Sequence, residues 1–524
     1  MRLASKVSTV AALCLGFIGD PALGLAKDLY IAQSAAGLAN GQDCSNTLDM
    51  SHFNTASYWV NANPVGTQIG PGTTVHLCGT FNASAGASGF LTFHGSGTSG
   101  DPITLRFEPG AALQAGYWGK GGAIASTGQS YIIIDGGTNG LIQATANGTA
   151  QANQNDGVGI ALSKCNNCEV RNLTIANMYV HTSDLTDSLG GGTVAIQYAD
   201  GNNVAIHDNT IHDANICALY GFSKPNANVA IYGNTIYNCN GSIIVGSTLT
   251  GATISGVSIR RNTIHDSVNW DDTADNNHHD GIHVWAVHDG SSWANVQICN
   301  NYIYGDWGIH TTGLVFIEAN GGGSGSGFNA IYNNVLSQTN AASHVAANGA
   351  ISLQGDGWYI LNNAFINDSN AGGGGGAVQA DSGNGVTMEN NVLISPSTAL
   401  NFPAGTSISA GDFNDYFNVG KTISYYIGGN TYNTLADLTA ATGLDKHSIA
   451  SNPNLSSTGV PFSGSVLIGA GANLTSLCGT FTSLCVDAAG VARPAAGAWD
   501  IGAYQFGGVR QALAPPAGVN VTVQ

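Results

Sequence analysis

Charge is the scarcest property of this sequence. Only 9% of its 524 residues are Asp, Glu, Lys or Arg, and 14 basic residues stand against 32 acidic ones, a formal balance of −18. A nucleic-acid partner is not expected, because such a binder needs a basic stripe. Long Leu-, Glu- or Lys-rich segments are also missing, which argues against a helical protein, while 73 glycines point to an all-β chain built from turns. Beyond residue 26 no apolar run is long enough to span a bilayer. Within 1–26, Arg2 and Lys6 precede the apolar run Val7 to Ile18 and the small-residue site Gly24-Leu25-Ala26, the pattern of a secretory signal peptide. Cys14 lies in that run, but Leu13 is a poor lipobox residue, so a lipid anchor is not expected. The expected location is secreted, extracellular or at the cell surface.

Removal of that leader leaves nine of the ten cysteines. Cys44 with Cys78, Cys165 with Cys168, Cys217 with Cys239 and Cys478 with Cys485 are the plausible local pairs, and Cys299 is left over. Secretion makes disulfides the default, although sequence does not fix their connectivity. Cys165-Asn-Asn-Cys168 has no second CxxC to make a zinc site, nor a thioredoxin-like pattern around it.

What the sequence does have is a returning phrase. Val204-Ala-Ile206-His-Asp-Asn209-Thr-Ile211 comes back at Val229 to Ile236 and at Val257 to Ile264. Looser copies carry Asn301, Asn334, Asn363 and Asn391. Alternating aliphatics mark strands with one buried side, and the Asn falls at a corner where a left-handed residue is expected. Its amide is placed to bond to the Asn of the next copy. The steps are 25, 28, 39, 33, 29 and 28 residues, a unit that closes only by stacking on itself. The fold class is therefore all-β, a parallel β-helix solenoid. The expected organisation is a signal peptide at 1–26, an N-terminal cap and first coils at 27–125, the β-helix core at 126–420, a C-terminal closing region at 421–506 and a flexible tail at 507–524. The runs 321–327 and 372–376 are Gly-rich loops; no Lys-Ser/Thr follows either, so a nucleotide site is not expected.

These residues resemble the pectin-lyase-like superfamily of right-handed parallel β-helix proteins. The phrase Gly97-Thr-Ser-Gly-Asp-Pro-Ile-Thr-Leu-Arg106 is similar to the opening coils of secreted bacterial members. Ser451-Asn-Pro-Asn-Leu455, Arg493-Pro494 and Trp499-Asp500-Ile-Gly-Ala-Tyr504 resemble the choice-of-anchor Q module. The resemblance covers nearly the whole mature chain and implies architecture, since this fold hosts lyases, hydrolases, epimerases and non-catalytic adhesins.

Chemistry concentrates in the longest step. Five of the 14 histidines fall between His265 and His288, around Asp271-Asp272-Thr-Ala-Asp275-Asn-Asn-His278-His279-Asp280-Gly281-Ile282-His283-Val284-Trp285. With Ile282 and Val284 inward, His283 and Trp285 face out. The stretch is similar to a motif of the family 9 pectate lyases, matched at Asn277, Asp280, Gly281 and Trp285. His279 and His283 stand where that family has calcium-binding Asp, although Ca²⁺, the one cofactor the resemblance implies, prefers oxygen ligands. No nearby Lys replaces that family's base; the next is Lys421. A fainter similarity, to mannuronan epimerases, rests on His279 and Asp280, and the polygalacturonase motifs are missing. Asp271, Asp272 and Asp275 are the candidate metal ligands, set against a plain hydrophilic loop. His212, Tyr237, His265 and Tyr304 read instead as a stacked exterior ladder.

The candidate catalytic residues are His279, Asp280, His283, His310 and Arg260. A His beside a carboxylate has the types for general acid–base work, and Arg260 could neutralise a uronate. Candidate substrate contacts are Trp285, Tyr220, Phe316, Glu318 and Gln354, with Gln379 extending the same face. Two registers are open on the coil after His283. An inward Ile309 stacks His310 on His283, whereas inward Val315 and Ile317 turn Phe316 and Glu318 to the groove. The expected partner is a polysaccharide and the expected state a monomer. The leading functional expectation is a polysaccharide lyase on a uronic-acid-containing glycan. A non-catalytic carbohydrate-binding, envelope or adhesive protein is the alternative from another class. A glycoside hydrolase, with Asp280 and Asp306 or Glu318 as its carboxylates, or a C5-epimerase, completes the set.

Overall fold

The recurring phrase determines the architecture. In the computed structural model, Val204–His207 pairs in parallel with Asn226–Tyr232, which pairs with Thr253–Arg260. Ser292–Cys299, Asn329–Tyr332, Trp358–Leu361 and Val386–Glu389 continue the same face. Residues 27–182, 192–222, 226–247, 249–271, 280–286, 291–308, 311–319, 327–338, 349–366, 376–394, 397–418, 420 and 422–507 are described. Ile206, Ile231, Ile259, Ile298, Ile331, Ile360 and Met388 form one inward column, each no more than 1% exposed. A second face of short strands follows each Asn corner: Thr263–His265, Tyr302–Tyr304, Val335–Ser337, Ala364–Ile366, Val392–Ile394 and Asp415–Phe417. A third runs from the end of Thr235–Ser247 through Asp280–Ala286, Gly313–Glu318, Ile351–Leu353, Val378–Ala380 and Thr398–Phe402 to Ser424–Ile427. Three faces per coil make a right-handed parallel β-helix. Parallel pairing begins at Lys27–Ala32, which joins Thr73–Leu77 and then Ile103–Phe107.

The Asn ladder forms and gains a rung. Asn209, Asn234, Asn262, Asn301, Asn334, Asn363 and Asn391 each give a backbone N–H and a side-chain N–H to Oδ1 of the next, and Asn414 ends the series. The corner's left-handed residue is not the ladder Asn, as expected from the sequence, but the one before it. Asp208, Gly233, Arg261, Asn300, Asn333, Asn362, Asn390 and Phe413 hold φ between 51° and 66°. One residue takes the turn so that the next can aim its amide along the stack. Arg261 and Phe413 accept the αL conformation despite its Cβ cost.

The exterior ladder forms too: rings of His212, Tyr237, His265 and Tyr304 stack at centroid distances of 4.5, 5.1 and 4.9 Å. All four expected cysteine pairs are disulfides, and Cys299 is free and buried. Among the described residues no helix is long and apolar enough to cross a membrane. The expected signal peptide lies outside the described residues.

The chain closes in two steps. Ser424–Ile427 receives an antiparallel strand, Asn430–Tyr432, which covers the sheet edge, and the helix Leu435–Thr442 buries Leu438 against the last coil. The segment after it folds back along the flank of the stack. Leu474, Phe481, Leu484 and Trp499 pack on Cys299, Tyr332 and Leu361, while Leu467, Ile501 and Ala503 pack on Val335, Ala364 and Val392. Arg493 is buried there, its Nη2 donating to Asn333 Oδ1 at 2.9 Å and to the Gly502 carbonyl at 3.0 Å. The outer sides of the first two faces are thus given to packing over these coils.

Asp415, fully buried beneath the closing region, accepts a bond from the Ser451 amide, and burial pushes its pKa up to about 7. In the unfolded chain an Asp titrates near ~3.9. Between those values the folded state holds a proton that the unfolded state has released. Stability therefore falls as pH rises through that window. Asp415→Asn is expected to flatten this fall by up to about 4 kcal/mol, read from urea midpoints across the window. A variant with the wild-type pH dependence would refute the assignment.

Candidate functional site

The third face carries the chemistry, and local sequence explains its shape. Ile282, Val284 and Ala286 are fully buried in the core, so alternation turns His283 and Trp285 outward, as expected. Gly281 is required by close packing, since a Cβ there would lie 2.5 Å from the Leu314 carbonyl oxygen. On the next coil Val315 and Ile317 point inward, and Phe316 and Glu318 pair with His283 and Trp285. This is the second of the two registers open in the sequence: Phe316 stacks on His283, with ring centroids 4.7 Å apart.

Three titratable side chains line up across these two strands. Glu318 Oε2 lies 3.1 Å from His283 Nε2, and Asp280 Oδ2 lies 3.4 Å from His283 Nδ1. Asp280 Oδ1 accepts a hydrogen bond from the Gly313 amide at 3.2 Å. Asp280 is 1% exposed. Burial pushes its pKa well above the carboxylate range; the Gly313 amide opposes the shift and Glu318 adds to it. His283 is also buried, whereas Glu318 and Trp285 are only half-buried. The order from inside to outside is Asp280, His283, Glu318, and Glu318 is the member placed to meet another molecule.

A row of outward positions continues from this centre. Leu353 pairs with Ile317 and with Ala380, so Gln354 follows Glu318 and Asp381 follows Gln354. Gln354 Oε1 accepts the Ala319 amide at 2.8 Å. Asp381 is exposed and takes bonds from Gln379 and, at 3.4 Å, from Ser352 Oγ. At the other end Trp285 lies over Gly246, where a Cβ would sit 2.0 Å from the indole nitrogen. Sequence reasoning missed Gly246 and Asp381. Each becomes visible only once strand register assigns it to the column of Trp285 and Gln354.

Not every candidate joins this centre. Arg260 ends a first-face strand just before the Asn corner, with the whole second face between it and Asp280–Ala286. Its guanidinium lies 4.2 Å over the Tyr232 ring and donates to Ser258 Oγ at 3.1 Å. Burial lowers its pKa. Arg260 is therefore a member of the first face's exterior column and does not meet His283. Tyr220 pairs along the backbone with Tyr198 and Val245, and its side chain lies outside the described residues; Leu219 holds the His283 column. His279 and His310 lie outside the described residues, as do Asp272 and Asp275. Asp271 follows the turn Val268–Trp270, and among the described residues no three His, Cys, Asp or Glu converge as a metal site. At position 283 an imidazole held between two carboxylates is a poor ligand for Ca²⁺, which takes oxygen donors.

No family model and no curated protein sequence matches the chain. Among solved structures it is similar to pectate lyase Pel9A at 15% identity, over 92% of this chain and 97% of that one, with a TM-score of 0.33. It is also similar to the DFA-IIIase of Arthrobacter chlorophenolicus A6 in complex with GF2, at 12% identity over 74% and 94%, with a TM-score of 0.35. The same enzyme without its lid gives 12% identity over 76% and 99%, with a TM-score of 0.35. The fold stands on this chain's own strand pairings, and nothing about its chemistry rests on these likenesses.

Proposed function

We propose that this protein is a polysaccharide-active enzyme that cleaves glycosidic bonds by proton transfer at Glu318. The observation that carries the reading is the Asp280–His283–Glu318 alignment at 3.4 and 3.1 Å, fully buried at Asp280 and partly exposed at Glu318. Trp285 and the row beyond it supply a sugar platform and polar contacts. In this reading Asp280 and His283 are positioning residues and Glu318 is the catalytic one. Hydrolysis suits the groove better than the elimination expected from the sequence. Elimination needs a cation for the uronate carboxylate, and Arg260 is on another face. In hydrolysis Glu318 gives a proton to the departing oxygen, while water adds to the sugar carbon and loses its own proton to a second carboxylate. Asp381, two strands along the same row, is the accessible group for that task.

The test is the product. A panel of polysaccharides is incubated with the full chain and read for new reducing ends and for unsaturated sugars. Reducing ends without unsaturation are expected. Unsaturated ends would replace hydrolysis by elimination, and no cleavage of any glycan would remove the enzymatic reading.

Trp285 gives a second check. Gly246→Ala is expected to push the indole off its seat and weaken glycan binding by about tenfold, roughly 1.4 kcal/mol, with the fold retained. Calorimetric titration of Gly246→Ala beside Trp285→Ala measures this, and unchanged affinity in both would exclude Trp285 as a platform.

A further inference from the structure

We infer that the glycan taken by this groove is uncharged. The inference rests on the glycan-active reading above and goes on to name the substrate class. Its first ground is electrostatic. From residue 262 to residue 420, the span that supplies the third face from the catalytic centre through Thr398–Phe402, the sequence contains no Lys and no Arg. The same span holds 14 Asp and Glu. A polyuronate brings a negative charge on every acidic sugar, and here it would meet Glu318 and Asp381 with no Lys or Arg from these coils to offset them. At separations within the ~8 Å Debye length of physiological salt, that repulsion is only partly screened. Two first-face cations of earlier coils are committed elsewhere. Arg260 is buried over Tyr232 on the first face, and Arg171 is paired there with Glu169 at 2.5 Å and Asp135 at 3.1 Å.

The second ground is what lines the row. Beside and beyond Glu318 stand two half-buried carboxamides, Gln354 and Asn401, the latter backed by the buried Gln379, whose Oε1 accepts from Asn401 Nδ2 at 3.3 Å. Amides and hydroxyls both give and accept hydrogen bonds, which matches sugar hydroxyls and gives no preference for a carboxylate. Asp381 is bonded by Gln379 and Ser352, so its charge is partly satisfied within the protein. From Trp285 to Asp381 the row spans three inter-strand steps, about 14 Å, long enough for a chain of sugars and not for a single one.

The experiment uses the full chain carrying Glu318→Gln, so that binding is read without turnover. Affinity electrophoresis and calorimetry compare uncharged glucans, mannans and galactans with polygalacturonate and alginate, each with and without added Ca²⁺, and with chitosan. The expected result is binding to an uncharged glycan that changes less than about twofold between low and high salt, with polyuronates at least about tenfold weaker. Gln354→Lys in the same background is expected to raise polyuronate affinity by about tenfold relative to that of the uncharged glycans. Polyuronate binding as tight as that of the uncharged glycans, with or without Ca²⁺, overturns the inference and leaves the glycan reading intact, and so does preference for chitosan. Binding to no glycan at all overturns both.

Discussion

Glu318→Gln is expected to lower glycan turnover by about a hundred- to ten-thousandfold with the fold intact. Gln keeps the shape of the side chain and can still meet His283, but it cannot hold or release a proton. Gln is isosteric with Glu and the side chain lies on the outer side of the strand, so circular dichroism and the urea midpoint should match the wild type. The loss should fall on kcat, with KM changed by no more than about threefold, because in the proposed function Trp285 and the polar row bind the sugar. His283→Ala and Asp280→Asn test the order of the three. If both act through Glu318, the double variant His283→Ala, Glu318→Gln should be no slower than Glu318→Gln alone, since residues working as one unit do not lose activity additively. Asp280→Asn should move the pH profile of kcat, because the neighbouring acid is buried against the imidazole that contacts Glu318. Full activity in Glu318→Gln would sink the assignment. Multiplying losses in the double variant would break the relay into independent groups.

The separation of roles follows from where the closing segment lies. Phe481, Leu484 and Trp499 cover first-face residues, and Ile501 and Ala503 cover second-face ones, over the coils that carry Cys299 to Val392. The same coils present Glu318, Gln354 and Asp381 on the third face. One flank of the stack is given to packing and another to polar side chains in register. A β-helix can divide its labour in this way because each face is a separate set of columns, changed one rung at a time.

Much of this was legible before any coordinates. The Asn phrase gave the ladder because its spacing and its alternation say the same thing. Phe316 and Glu318 were legible as one of two registers, and neighbouring Ile351 and Leu353 show why that one wins: they continue the inward columns of Val315 and Ile317. The misreadings have physical causes. In Asn333-Asn334, Asn362-Asn363 and Asn390-Asn391 both residues tolerate the left-handed region, so sequence alone does not say which one turns. Arg260 was placed near His283 by closeness in the chain, yet a corner and a strand intervene. The back-folding of the last segment left no periodic trace, because its contacts with the coils come from turns and not from strands.

Asn334→Ala is expected to be the most damaging single change in the stack, costing about 3–5 kcal/mol. Asn334 Oδ1 accepts the Asn301 backbone N–H at 3.0 Å and the Asn301 side-chain amide at 2.9 Å. Its own amide donates to Asn363 Oδ1 at 3.0 Å and to the Ile298 carbonyl at 2.9 Å. A fifth bond runs from the same amide to the Tyr332 carbonyl at 3.1 Å; alanine removes all five and leaves their partners in a corner with no access to water, and each buried orphan costs about 1–3 kcal/mol. Loss of volume alone would predict a smaller effect, the same at every rung. The ladder predicts a gradient. Asn209 opens the series and accepts only the Leu173 amide, so Asn209→Ala should cost less than Asn334→Ala. Because a solenoid is coupled through nearest neighbours, the damage should also be local. Hydrogen exchange should rise first in the strands flanking the corner, Asn329–Tyr332 and Val335–Ser337, and in the coils on either side. The urea midpoint reports the magnitude and exchange reports the place. Equal losses at Asn209 and Asn334, or exchange spread evenly along the stack, would mean that the coils are held by their apolar columns and that the Asn amides only fill the corners.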